Sequence, residues 1–234
     1  MENETTRDSA PRWLWLWPPF AIVLLQVGTK AFSEDAYRTV FRGELGLVEN
    51  CTVLFLVSAV FFAVRLFLMR SRVRSKLFGP FALVMALGCF FFAGEESSWG
   101  QHWVGYETPD SIAERNDQGE FNLHNDPFLE MFLDQPPRLA LTFAALIGGL
   151  CAPLLRRRRR MDFPVFDGEG VWGWVWPTTV CIPTSIVALV ITFPKKVFEE
   201  VPFALDISPG ETKEFCLALF LLVYLLVLYR QLRR

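Results

Sequence analysis

The chain has 234 residues, 52% hydrophobic and 15% aromatic, and its mean hydropathy of +0.30 is too high for an ordinary soluble domain. A net charge of −2 and the absence of aromatics from its one run of arginines give nucleic-acid binding no support. The five cysteines contain no CxxC pair, which argues against a zinc knuckle or a disulfide framework. The composition predicts an all-α integral membrane protein.

Six apolar runs are long enough to cross a hydrocarbon core of about 30 Å at about 1.5 Å per helical residue. They are residues 13–29, 47–69, 77–93, 138–155, 175–193 and 214–229. No segment between them is long enough for an independent soluble core. We therefore expect a polar tail (1–12) and one six-helix transmembrane domain (13–234) with an ordered cap (94–136).

The basic residues predict the orientation. With the N-terminus in the cytoplasm, fourteen of the 23 Lys and Arg lie in the cytoplasmic segments and eight on the other face, while nineteen of the 25 acids lie on that other face. This asymmetry follows the positive-inside rule, and all eight tryptophans lie at predicted span ends. Both termini are thus predicted to be cytoplasmic, with residues 99–136 on the opposite side.

The first span is predicted to be retained rather than cleaved as a signal peptide, with Pro18 and Pro19 in its opening turn. In the following segment Ser33 is a candidate N-cap for a helix with an apolar face. This helix lies flat on the outer interface or is a linker that packs on the bundle. The second and sixth spans open with Glu49 and Glu214.

The third span leads into the segment that carries both histidines. If its helix continues, Glu95, Ser98 and His102 share one face. Thr108 and the proline after it predict the start of another short helix, which Gly119 ends.

Residues 120–124 then alternate polar and apolar. In an extended conformation Glu120, Asn122 and His124 project to one side. A carboxylate pair at the end of an apolar span needs donors, so we expect His124 to meet Glu95 and Glu96, with Asn122 and Asn125 nearby. Another amphipathic helix is expected around residues 126–135.

The remaining spans carry three further signals. Gly148 and Gly149 predict a close approach between helices, and Pro183 predicts a kink in the fifth span. The run Arg156–Arg160 is predicted to anchor the topology and contact anionic lipid headgroups. Cys51 and Cys216 share the outer end, where a bridge is conceivable.

The segment also resembles a known motif. Its elements are Glu95, Glu96, Trp99, Gly100, Gln101, Thr108, Pro109, Asn116, Gln118, Gly119, Glu120, Asn122, Leu123, His124 and Asn125. Together with the acidic entry to the second span, this string resembles a family of small bacterial multi-span membrane proteins. The resemblance implies residence in a bacterial plasma (inner) membrane and supplies no reaction. The family pattern carries an arginine at the position of His102, which argues against His102 as a metal ligand.

Three functional classes remain. An enzyme would use Glu95, Glu96, His124, Asn122 and Glu120 as a general acid/base cluster on a lipid or lipid-linked substrate, or the first three as ligands of a divalent metal. A non-catalytic component would use the same side chains as a structural plug that fixes the loop. A carrier or ion pathway is the third class, although no span carries an Asp, Glu, Lys or His near its middle.

Overall fold

The computed structural model describes residues 10–43, 45–116, 119–122, 131, 135–159, 166, 169–198 and 201–233, without the side chains of residues 156, 157, 159 and 196. This part of the chain is helical and contains no β-strand, so the predicted all-α class is confirmed. Four helical segments are long and apolar enough to cross a membrane. They are Leu47–Leu68, Phe78–Glu96, Gln135–Leu155 and Phe203–Arg233.

Helix α12 (Pro209–Arg233) lies at the centre of the bundle. Every residue from Phe215 to Tyr229 is buried, so other parts of the described chain cover this helix on all sides. It packs against α2 (Pro18–Phe32), α4 (Leu47–Leu68) and α10 (Ile182–Val190). Helices α2, α4 and α10 therefore surround a core that α12 supplies, and α5 packs on α4.

Helices α4 and α5 (Phe78–Glu96) are apolar on their buried and their exposed faces. The inward face of α4 is formed by Leu56, Ala59, Ala63 and Leu66. Its exposed face carries Leu54, Val57, Phe61, Val64 and Leu68. Exposing such a face to water costs about 25 cal/mol per Å² of apolar surface, whereas hydrocarbon removes that cost. The exposed apolar faces and the four long apolar helices are compatible with an integral membrane protein.

The two other predicted spans are shorter helices with shifted boundaries. The first run is split into α1 (Arg12–Trp15) and α2 (Pro18–Phe32). Neither Pro18 nor Pro19 has an N–H to continue the ladder of α1, but both fit the first turn of a new helix. The second short apolar helix is Thr179–Lys195, which includes α10 and the start of the short helix α11 (Phe193–Val197).

The predicted kink at Pro183 is wrong, because Pro183 lies in the first turn of α10. Residues 175–178 are irregular, and a 3₁₀ turn (Thr179–Cys181) leads into the helix. A proline in a first turn removes no intrahelical hydrogen bond. The hydroxyl of Ser185 donates to the Cys181 carbonyl oxygen at 2.9 Å.

The fourth predicted span is one helical run with a π-helical centre, formed by α8 (Gln135–Phe143), a π-helix (Ala144–Cys151) and α9 (Ala152–Arg159). The predicted close approach is confirmed at Gly149. A Cβ placed there would lie 2.1 Å from Ser185 Oγ and 2.7 Å from Phe220 Cε2. Because Ser185 belongs to α10 and Phe220 to α12, Gly149 brings three helical segments together.

Helix α3 (Glu34–Phe41) begins with the predicted cap, since Ser33 Oγ accepts from the Ala36 N–H at 3.2 Å. Tyr37 and Phe41 are buried. The Tyr37 hydroxyl accepts from the Ser208 N–H at 2.8 Å, beside the start of α12. Of the two alternatives for this segment, the structure therefore favours the linker that packs on the bundle.

Polar contacts join α2 to the first turn of α12 and to the segment that precedes α12. Gln26 is fully buried, and its Nε2 donates to Thr212 Oγ1 at 2.9 Å. Lys30 is buried as well and pairs with Asp206, with 3.5 Å between Nζ and Oδ2. All five cysteines, including Cys51 and Cys216, are free thiols.

Candidate functional site

The chain turns sharply where α5 ends. The helix stops at Glu96, and Ser98, Trp99 and Gly100 follow with φ values of 44°, 54° and 86° before the short helix α6 (Gln101–Val104). Left-handed backbone costs about 1–2 kcal/mol for a residue with a side chain. The helix does not continue, so Glu95, Ser98 and His102 do not share one helical face as the sequence suggested.

The Trp99 side chain folds back onto the helix that it leaves. Its indole Nε1 donates to Glu95 Oε1 at 2.7 Å, and its ring meets those of Phe90 and Phe91 edge to face, at 5.9 and 6.1 Å. The ring lies over Gly94, where an added Cβ would come within 2.9 Å of three ring atoms. These contacts offset the strain of the turn and give the buried carboxylate Glu95 a donor.

Beyond the turn, four side chains form what we name the Glu120 cluster: Ser98, Asn116, Glu120 and Asn122. Ser98 Oγ donates to Glu120 Oε2 at 2.8 Å, and Asn122 Nδ2 donates to Glu120 Oε2 at 2.8 Å and to Ser98 Oγ at 3.0 Å. Asn116 Nδ2 donates to Asn122 Oδ1 at 2.8 Å and to its carbonyl oxygen at 2.9 Å. Each side chain is thus oriented by another member of the cluster.

Gln101 closes the loop from the other side. Its Oε1 accepts from the Phe121 N–H at 2.7 Å, and its Nε2 donates to Thr108 Oγ1 at 2.7 Å. The Tyr106 hydroxyl donates to the Ser98 carbonyl oxygen at 3.1 Å. Thr108 accepts a side-chain hydrogen bond here instead of capping a helix, and the short helix α7 begins two residues later (Asp110–Ala113).

His102 faces the cluster, with its Nε2 3.8 Å from Glu120 Oε2. The sequence ranked His102 below His124 as a ligand, yet the structure places it beside the central carboxylate. Among the described residues, no group of three or more His, Cys, Asp and Glu side chains could hold a metal ion. His124 lies outside the described residues, so the predicted metal site stays a prediction.

The predicted site residues divide into three sets. Glu120 and Asn122 meet, whereas Glu95 is bound to Trp99 and Glu96 is half-buried beside it. His124 and Asn125 lie outside the described residues, as does most of the amphipathic helix expected around residues 126–135. The predicted meeting of His124 with the carboxylate pair therefore stays a prediction.

Sequence reasoning missed two residues that organise the site. Asn116 and Gln101 were noted only as parts of a motif, but Asn116 binds Asn122 six residues along the loop and Gln101 binds Phe121 twenty residues along it. Glu214, at the same end of the bundle, forms an ion pair with Arg138.

No protein-family model, curated protein or solved structure matches the chain. The resemblance carried by the loop motif therefore stays an interpretation of its residues.

Proposed function

We propose that the protein is a six-span plasma-membrane protein with cytoplasmic termini. Four long apolar helices support membrane residence, and the exposed apolar face of α4 suits contact with lipid. The helices Pro18–Phe32 and Thr179–Lys195 supply the other two spans. At about 1.5 Å per residue they are shorter than the hydrocarbon core, and the adjoining α1 and residues 175–178 extend them. The basic excess supports the orientation.

Reporter fusions at Gly119 and Met161 test this topology. A reporter that is active only outside the cytoplasm should work at Gly119 and fail at Met161. Activity of the same reporter at Met161 would refute the six-span arrangement.

The Glu120 cluster is best explained as a structural plug in a non-catalytic membrane component. The observation that carries this proposal is the closed set of hydrogen bonds among Ser98, Asn116, Glu120 and Asn122. Such a set stabilises a loop at the end of an apolar helix, because each buried polar group that finds a partner avoids a desolvation penalty of about 1–3 kcal/mol.

Ser98→Ala tests the plug. The substitution removes a donor from Glu120 and an acceptor from Asn122, so the free energy of unfolding should fall by about 1–3 kcal/mol. Ser111→Ala is the matched control, because Ser111 is exposed in the same loop and should leave the stability unchanged within about 0.5 kcal/mol. Equal melting temperatures for the two variants in detergent would show that the cluster does not stabilise the loop.

Gly94→Ala tests the contact that holds the turn. Its Cβ would push the Trp99 ring away and lengthen the hydrogen bond to Glu95, which should lower the melting temperature. Gly88→Ala is the control in the same helix, because nothing lies within 4 Å of the added Cβ. A melting temperature of Gly94→Ala equal to that of Gly88→Ala would contradict the packing of Trp99 over Gly94.

A second candidate is an enzyme that acts on a lipid or lipid-linked substrate, and one observation favours it. Strained backbone clusters at active sites, and the left-handed Ser98 presents its hydroxyl to the carboxylate of Glu120. In this alternative Glu120 is the general base and Ser98 the nucleophile. Covalent labelling of Ser98 by a fluorophosphonate probe, lost in Glu120→Gln at unchanged melting temperature, would support the enzyme over the plug. A protein that the probe leaves unlabelled supports the plug.

A further inference from the structure

The segment between α4 and α5 carries four cations in seven residues, and we name it the 70–76 loop. Its exposed residues include Arg70, Arg72, Arg74 and Lys76. Val73 and Ser75, which alternate with three of these cations, are buried. The alternation places the charges of residues 72, 74 and 76 on the outward side of a segment whose other side is fixed to the bundle.

Several contacts hold these arginines in place. The stem of Arg70 crosses Gly79, where a Cβ would lie 3.1 Å from Arg70 Cδ. Its guanidinium lies 4.4 Å from the Phe67 ring centroid, and its Nη1 donates to the Phe67 carbonyl oxygen at 3.0 Å. Arg72 Nη1 donates to the Leu232 carbonyl oxygen at 3.5 Å, at the end of α12. An arginine held in this way loses less conformational entropy when it binds an anion.

The helix ends that adjoin the loop carry no carboxylate to compensate its positive charge. The sequence has no Asp or Glu between residues 50 and 94 or after residue 214. Within the described part of the chain, none of the four cations forms an ion pair with a carboxylate. The loop leads directly into the first turn of the 19-residue helix α5, whose dipole adds partial positive charge. Ser75 Oγ is buried there and has no hydrogen-bond partner among the described residues.

From this geometry we infer that the 70–76 loop and the first turn of α5 bind the phosphate of an anionic phospholipid headgroup. The site is separate from the run Arg156–Arg160. Bidentate guanidinium donors match phosphate oxygens, and the apolar exposed faces of α4 and α5 beside the loop suit the acyl chains. The inference rests on the membrane placement proposed above, which puts this loop at the cytoplasmic headgroup layer.

The test is a titration of the purified full chain in maltoside detergent with short-chain phosphatidylglycerol, followed by the thermal unfolding midpoint. Phosphatidylglycerol should raise the midpoint saturably, and phosphatidylcholine with the same chains should not. Arg74→Gln should raise the apparent Kd about fivefold. The variant with Arg72, Arg74 and Lys76 all changed to Gln should raise it on the order of 100-fold. Arg42→Gln is the control, because it removes an exposed arginine between α3 and α4, outside both basic runs, and should change the Kd less than twofold.

Three outcomes would overturn the inference. An equal loss of affinity in Arg42→Gln and Arg74→Gln would mean diffuse attraction without a site. Saturable stabilisation by inorganic phosphate would assign the loop to a soluble anion. An unchanged Kd in the single Arg74→Gln variant would remove the loop from lipid binding even if the triple variant did not fold. A chain that stays soluble without detergent would instead refute the membrane placement.

Discussion

Replacing Gly149 with alanine is the sharpest test of how the bundle is packed. The added Cβ would lie 2.1 Å from Ser185 Oγ, 3.2 Å from Ser185 Cβ and 2.7 Å from Phe220 Cε2. Ser185 cannot turn its hydroxyl away without losing the hydrogen bond to the Cys181 carbonyl oxygen. The Phe220 ring belongs to the central helix, where its neighbours are buried. A movement of Ser185 or of the Phe220 ring would therefore displace packed atoms.

The expected magnitude combines three terms. Overpacking a close-packed site costs about 1–3 kcal/mol, and the lost hydrogen bond of Ser185 costs about 1 kcal/mol. Alanine recovers about 1 kcal/mol over glycine through its higher helix propensity. Gly149→Ala should therefore lower the free energy of unfolding by about 1–3 kcal/mol. At about 2–4 °C per kcal/mol for a chain of this size, the melting temperature should fall by roughly 2–12 °C.

The assay is thermal unfolding in detergent, with the neighbouring Gly148→Ala as the matched control. A Cβ at Gly148 makes only ordinary contacts of 3.4 Å with Pro177, so this variant should keep or slightly exceed the wild-type melting temperature. Adding Ser185→Ala to Gly149→Ala should recover part of the loss. If Gly149→Ala melts at or above the temperature of Gly148→Ala, the close approach of the three helical segments is refuted.

Two further predictions concern charges. Arg138→Gln removes an ion-pair partner of the largely buried Glu214 and should cost about 1–3 kcal/mol in thermal unfolding, and Glu214→Gln in the same chain should recover most of it. Without recovery, the loss would not come from the ion pair. The pKa of Glu34 lies below its ordinary value because Arg38 donates to the carboxylate and Lys30 adds positive charge. Its contribution to stability is thus present above the unfolded-state pKa of about 4.3 and is lost as the pH falls through the lower folded pKa. Glu34→Gln should flatten melting temperature against pH in this acid range, and an unchanged slope would contradict the assignment.

The features that the sequence predicted correctly depend on neighbours along the chain. The helical class and the four long apolar helices follow from hydropathy over about 20 residues. The Ser33 cap follows from a local hydrogen bond, and the close approach at Gly149 follows from the missing side chain. None of these requires knowledge of which helices are neighbours.

Local patterns failed where the tertiary structure outweighed local preference. Ser98 and Trp99 adopt left-handed backbone that their residue types disfavour, so a continuous helix was the natural expectation. The stacking of Trp99 over Gly94 and its bond to Glu95 offset that strain, and only the fold provides them. Pro183 was misplaced because an apolar run does not reveal where its helix begins.

The candidate site shows the same division. From alternation along the chain, the sequence placed Glu120 and Asn122 on one side of an extended segment, and the structure joins them by a hydrogen bond. The sequence could not identify Ser98 and Asn116 as their partners. The contacts of Ser98 span 22 and 24 residues, and that of Asn116 with Asn122 depends on how the chain folds over 6 residues. Hydropathy places a helix in the membrane without choosing its neighbours, since its contacts with lipid and with other helices are similarly apolar. The central position of α12 and the closed Glu120 cluster were therefore decided by packing and by the pairing of buried polar groups.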